Sequence, residues 1–136
     1  MLVNTIITCG LLMTPTVDDM NDYLTCRDTY RQVEYVIQWL PLVNKYFDND
    51  EDVIKSLQII YCESRGKPNA VGVNKDGTKD VGLWQFNDNT WAWLTPKLGI
   101  ISNRTNPEVS TAVASWLIRN DGWHHWNSSK HCWENT

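Results

Sequence analysis

Glu63 is the residue whose type and position best suit proton transfer. It follows Val53, Ile54, Leu57, Ile60 and Tyr61, whose spacing predicts the buried stripe of a helix, and Gly66 and Pro68 stop that helix just beyond it. A carboxyl group in a last helical turn meets two effects. Partial burial disfavours its charged form, and the negative end of the helix dipole does the same. Both raise its pKa, and a carboxyl that stays protonated near neutral pH can act as a general acid. The plainer account is a surface carboxylate paired with Arg65 or Lys67. Nothing pairs His124 and His125 with a nucleophile, so they are expected as solvated or rim residues. Cys62 beside a histidine could form a nucleophilic pair on paper; packing or a disulfide explains it more simply.

The elements that must hold Glu63 can be read from the same pattern. Tyr30, Val33, Val36, Ile37 and Leu40 recur at helical spacing within Asp28–Phe47, and Pro41 ends or kinks that helix. Asp48 or Asp50 can cap the next helix, with Glu51 and Asp52 in its first turn. Residues 67–82 are dense in turn formers, and Lys75-Asp76-Gly77 predicts a hairpin flanked by strands near Ala70–Val73 and Asp80–Trp84. A short helix is expected from Asp88 or Asn89 through Trp91 and Leu94. Asn106-Pro107-Glu108 opens the last long helix, with buried face Val109, Ala112, Val113, Trp116 and Leu117, and Gly122 stops it. The tail from Trp123 to Trp133 is aromatic and irregular. The fold class is therefore mainly α, an α+β domain with one small β-hairpin in the middle.

The size fits one domain: 136 residues, 42% apolar and 21% charged. Residues 1–20 form an N-terminal segment and residues 21–136 the domain. Leu2–Met13 is apolar but too short to span a bilayer. It suits either the core of a signal peptide or an extension packed on the domain. The 12 Lys+Arg against 16 Asp+Glu give a net charge of −4, which argues against nucleic acid and against charge-driven membrane docking. Cys9, Cys26, Cys62 and Cys132 allow three pairings. Their wide spacing argues against a cysteine zinc site and for disulfides in an oxidising compartment. Eight tryptophans exceed what packing needs, so some should face a ligand; Trp39 and Trp116 are expected in the core.

Three stretches carry a family resemblance. Glu63-Ser64-Arg65-Gly66-Lys67-Pro68-Asn69-Ala70-Val71-Gly72 resembles the catalytic motif of lysozyme-like and lytic transglycosylase proteins, in which a Glu-Ser pair ends a helix. Gly82-Leu83-Trp84-Gln85-Phe86-Asn87 resembles the Gly-Leu-Trp-Gln or Gly-Leu-Met-Gln element that lines their cleft. The helix from Asn106 to Gly122-Trp123-His124-His125-Trp126 resembles the closing helix and Gly-Trp-x-x-Trp element of actinobacterial and phage members. Together they cover about residues 55–127 in the family's order, with the hairpin filling the gap between Glu63 and Gln85.

The resemblance implies a lysozyme-like fold and a cleft for β-1,4-linked amino sugars: a peptidoglycan or chito-oligosaccharide substrate. Glu63 would protonate the glycosidic oxygen as the bond breaks through an oxocarbenium-like state. Gln85 and Asn87 would hydrogen-bond sugar substituents, Ser64 would bond Glu63 or the cleft backbone, and Trp84, Trp123 and Trp126 would offer flat faces to sugar C–H groups. Among second carboxylates, Asp80 is the better candidate, beside the cleft element, whereas Asp76 is explained by its turn. A substrate acetamido or muramic hydroxyl group could replace either. Ala114-Ser115-Trp116 stands where many transglycosylases carry Ala-Tyr, a departure that favours hydrolysis. A secreted or virion-associated, monomeric, bacteriolytic glycosidase with no metal or organic cofactor is the expectation. Its acidic charge suits digested wall fragments, high salt, a gut or tethering in a larger assembly. A sugar-binding module without turnover and a structural protein are the competing expectations.

Overall fold

The computed structural model describes residues 17–134. The Leu2–Met13 segment, Cys9 and most of the expected N-terminal segment lie outside these residues. The first helix, α1, spans Val17–Val36 and passes through a 3-10 turn, Ile37–Trp39, into α2, Leu40–Tyr46. Pro41 lies in the first turn of α2, where its missing N–H leaves no hydrogen bond unmade. The expected helix over Asp28–Phe47 is thus two helices. Pro41 has no N–H to bond the carbonyl of Ile37, and its ring crowds that carbonyl. The break falls at Val36 (φ −121°, ψ −9°) and the 3-10 turn, while Leu40 is already helical. Much of its apolar face stays open, with Tyr30, Val33 and Ile37 exposed and Val36 buried.

Helix α3, Asp50–Ser64, runs through the centre of the domain. Its cap is Asn49, whose side chain accepts from Asp52 N at 2.9 Å; the two expected aspartates flank this position. Val53, Ser56, Ile59, Ile60 and Ser64 form the buried face, while Ile54 is 57% exposed. Adjacent apolar pairs at 53–54 and 59–60 leave the stripe's centre ambiguous in sequence, and small Ser56 and Ser64 let neighbours approach closely. Arg65 ends the helix at φ 55°, and Gly66 follows at φ 76°. A Cβ on Gly66 would lie 2.2 Å from Tyr35 O, so only glycine fits there.

Three short antiparallel strands follow: β1 (Val71–Val73), β2 (Lys79–Val81) and β3 (Phe86–Asn87), in that order across the sheet. The hairpin at Lys75-Asp76-Gly77 forms as expected; β3 was not foreseen, since two residues carry no periodicity. Asp76 accepts from Thr78 N at 2.9 Å and Thr78 Oγ1 at 2.6 Å, which closes the turn. Helix α4, Asp88–Leu98, packs on the sheet. Helix α5, Pro107–Asp121, is capped by Asn106 as expected, through Val109 N at 3.2 Å. Gly122 stops it. The tail then coils as a 3-10 run, Trp123–Ser129, and ends in the short helix α6, Lys130–Trp133.

The core gathers on α3, with Ile59, Ile60, Leu83, Trp84, Leu94, Ala114 and Leu117 fully buried. Trp39 and Trp116 pack against it partly buried. A relay of indoles stitches the tail inward. Trp133 Nε1 donates to Trp126 O at 3.0 Å, Trp126 Nε1 to Trp84 O at 3.0 Å, and Trp84 Nε1 to Thr111 Oγ1 at 3.1 Å. A disulfide joins Cys62 to Cys132, fastening α6 to the last turn of α3. Among the described residues no helix is long and apolar enough to cross a membrane.

Candidate active site

The last turn of α3 presents Glu63 half-buried at the wall of a cavity of about 210 Å³. The other walls come from the sheet (Asp80, Phe86, Asn87), the turn before β3 (Trp84, Gln85), α4 (Thr90) and the tail (His125, Trp126, Ser128). Burial raises the Glu63 pKa above the ordinary glutamate value. A hydrogen bond from Ser129 opposes that shift, and the Asp80 carboxylate adds to it. Ser129 Oγ donates to Glu63 Oε1 at 2.5 Å, so the tail supplies the acid's one protein hydrogen-bond donor among the described residues.

Asp80 is placed by strand register. It pairs with Gly72 on one side and Asn87 on the other, and paired residues share a face of the sheet. Asn87 Nδ2 donates to Asp80 Oδ1 at 2.8 Å and lies 3.0 Å from Thr78 Oγ1, while Asn87 Oδ1 accepts from Asn89 N at 3.0 Å to cap α4. The Asn87 amide is therefore spent on holding Asp80 and starting a helix.

Gln85 has φ 50°, a left-handed conformation that costs a non-glycine residue roughly 1–2 kcal/mol. Its Nε2 is 3.0 Å from both Ala70 O and Gly82 O, which fixes the side chain across the turn. A Cβ on Gly72 would stand 3.2 Å from Gln85 Oε1. Glycine at 72 thus leaves the space that this carbonyl oxygen occupies. Arg104 braces the same wall from outside, donating to Phe86 O and Asp88 Oδ1, each at 2.7 Å.

Glu63, Asp80, Gln85, Asn87, Trp84 and Trp126 are brought together on one cavity; Ser64 and Trp123 are not part of its lining. Ser64 is 5% exposed, and its hydroxyl lies 2.8 Å from Leu83 O and 3.0 Å from Ile60 O. It ties α3 to the Gly82–Gln85 turn. The Trp84 ring is 0% exposed and Trp126 is 4% exposed. Both indoles serve the core, packed edge-to-face at 5.3 Å, and neither offers a free face. Trp123 stacks on Phe47 at 6.1 Å with Lys55 Nζ 4.9 Å from its ring centre.

Sequence reasoning passed over Ser128, Ser129, Phe86 and Thr90. Ser129 had one available signal: Cys132 lies three residues on and Cys62 adjoins Glu63, so that one pairing among the three brings the tail to the acid.

The Transglycosylase SLT domain family matches residues 45–126, a stretch that holds every cavity residue except Ser128. A lysozyme of Galleria mellonella is 41% identical over 54 residues, covering 39% of this chain and 45% of that protein. The chain thus spans less than half the length of the curated relative it matches. No solved structure matches this chain.

Proposed function

This chain belongs to the Transglycosylase SLT domain family, and on that premise we propose that it cleaves peptidoglycan by hydrolysis. The bond broken is the β-1,4 link between N-acetylmuramic acid and N-acetylglucosamine. One observation carries the proposal: a half-buried glutamic acid with a raised pKa shares its cavity with a second carboxylate that a fixed amide holds in place. Glu63 gives its proton to the glycosidic oxygen, so the leaving sugar departs as an alcohol. Asp80 faces the positive charge that grows at the anomeric carbon of the sugar left behind in the site. It acts as nucleophile if about 5–5.5 Å from the acid, or as the base for water if about 6.5–9.5 Å away. Asn87 positions Asp80, and Gln85 Oε1 is offered to a sugar N–H or O–H. The similarity to a lysozyme supports the same substrate class, and the Cys62–Cys132 disulfide fits work outside the cell.

Lytic transglycosylation is the second reading, favoured by the family's description. In it the muramic hydroxyl attacks in place of water and closes a 1,6-anhydro ring. Against it, Ser115 of Ala114-Ser115-Trp116 is fully buried, with its hydroxyl 3.3 Å from Tyr46 O, away from the cavity lining.

Turbidity of a peptidoglycan suspension tests the proposal. The wild-type chain should clear it and Glu63→Gln should not; clearing by Glu63→Gln removes the assigned acid, and binding without clearing makes the chain a sugar-binding module. Mass spectrometry of the products should find reducing ends, and anhydro ends would replace hydrolysis by the second reading.

A further inference from the structure

Asp121, His124 and His125 form a cluster that the proton transfer does not require. Helix α5 ends at Asp121, and Gly122, at φ 82° and ψ −170°, turns the chain so that the following 3-10 run brings both imidazoles back to the carboxylate. His124 Nε2 is 3.1 Å and His125 Nε2 2.7 Å from the same atom, Asp121 Oδ2. The ring centres are 4.2 Å apart, and the three ligand atoms all lie within 4.8 Å of one another.

These spacings suit coordination. A tetrahedral Zn²⁺ with bonds of about 2.0–2.1 Å holds its ligand atoms about 3.3 Å from each other. The N···O separations of 3.1 and 2.7 Å reach that value by opening by about 0.2 and about 0.6 Å, and the two nitrogens, within 4.8 Å of each other, approach it by rotation of the exposed imidazoles. Both rings turn the same nitrogen inward, and ligation through Nε2 leaves Nδ1 to carry the ring hydrogen. Two imidazoles and one carboxylate match the preferences of Zn²⁺, Cu²⁺ and Ni²⁺, whereas Ca²⁺ and Mg²⁺ seek all-oxygen sites. The side chains are 52%, 56% and 24% exposed in the order Asp121, His124, His125, so an ion can enter and water can fill the fourth position. The chain's net charge of −4 favours cations near its surface.

We propose that Asp121, His124 and His125 bind a divalent transition-metal ion of the Zn²⁺ type on the rim of the cavity that holds Glu63. His125 lines that cavity, so coordination ties a wall residue to the end of α5. The binding needs no turnover.

Calorimetric titration of Zn²⁺ into the full chain near neutral pH tests the site. One ion should bind per chain. His124→Gln and Asp121→Asn should each weaken binding at least about tenfold, while His131→Gln, which alters the third histidine of the chain, should not. In wild-type protein, imidazole nitrogen spectra should show the Nε2 signals of His124 and His125 moving with Zn²⁺ and those of His131 staying put. No saturable heat, unchanged affinity in both His124→Gln and Asp121→Asn, or a response confined to His131 would overturn the proposal. The wild-type spectra decide even if a variant fails to fold. A chain that binds Zn²⁺ but clears no peptidoglycan would count against the hydrolase and leave the metal site standing.

Discussion

Ser129 Oγ lies 2.5 Å from Glu63 Oε1, from a position 66 residues further along the chain. The same hydroxyl is 3.2 Å from Trp126 O. A hydroxyl can both donate and accept, so Ser129 can serve each state of the acid. It donates to the ionised carboxylate, or accepts from the protonated carboxyl while donating to Trp126 O. The charge-assisted arrangement is the stronger of the two, which is why this contact lowers the Glu63 pKa against the larger effect of burial.

Ser129→Ala should therefore raise the Glu63 pKa. Cleavage requires the protonated form and is lost as pH rises through that pKa. The descending alkaline limb of the kcat/KM profile should move to higher pH in Ser129→Ala, with the optimum rate changed less than the limb. A limb that stays fixed or moves down would show that Ser129 does not act on the acid.

Glu63→Gln should inactivate the protein and stabilise it. Burial raises the folded-state pKa above the unfolded value, so between the two the folded state binds more protons. Stability then falls as pH rises through that window. Glutamine removes the loss. At neutral pH Glu63→Gln should melt above wild type, and the gap should shrink as pH drops towards and below the ordinary glutamate range. Equal melting temperatures at neutral pH would mean that burial at Glu63 carries no cost.

Asp80→Asn and Asp76→Asn should differ sharply. Asp80 shares the cavity with Glu63, whereas Asp76 is exposed and spends its carboxylate on Thr78. Asp80→Asn should cost about 100-fold or more in kcat. Asp76→Asn should stay within about twofold, in keeping with an exposed position away from the site. Near-wild-type rates for both would point to attack by the substrate's own acetamido group.

Gly72→Ala probes the Gln85 carbonyl. The added methyl group would meet only Gln85 Oε1, at 3.2 Å. Stability by urea unfolding should change by less than about 1 kcal/mol, while KM should rise several-fold as the amide is displaced. Gly82→Ala is the contrast: its Cβ would stand 2.3 Å from Arg104 O at φ 92°, so the fold itself should suffer. Unchanged kinetics in Gly72→Ala would remove Gln85 from substrate binding.

The parts of this fold that local chemistry dictates were legible in the sequence. Gly66 and Pro68 place Glu63 at a helix end, Asp76-Gly77 makes the hairpin, and Asn106-Pro107 starts α5. The parts set by long-range packing were not. Trp84 and Trp123 read as available aromatic faces, because composition counts rings and cannot say which way they turn. In the fold Trp84 is sealed against Trp126 and Thr111, and Trp123 lies on Phe47. Ser64 is expected from the sequence to bond Glu63 or the cleft backbone, and its hydroxyl does reach the backbone of the cleft element, at Leu83 O, 2.8 Å away. That it is buried there and does not line the cavity depends on how the helix packs. Asp80 was singled out for lying near the cleft motif, but its orientation depends on a strand pairing with Asn87 that two residues cannot announce.

The disulfide between Cys62 and Cys132 sets an order of events in the life of the chain. Glu63 leaves the ribosome long before Trp126, Ser129 and Cys132, so the hydroxyl that bonds its carboxyl arrives 66 residues later. A segment made well after Glu63 thus completes the surroundings of that carboxyl, and sulfur oxidation next door fastens it in place.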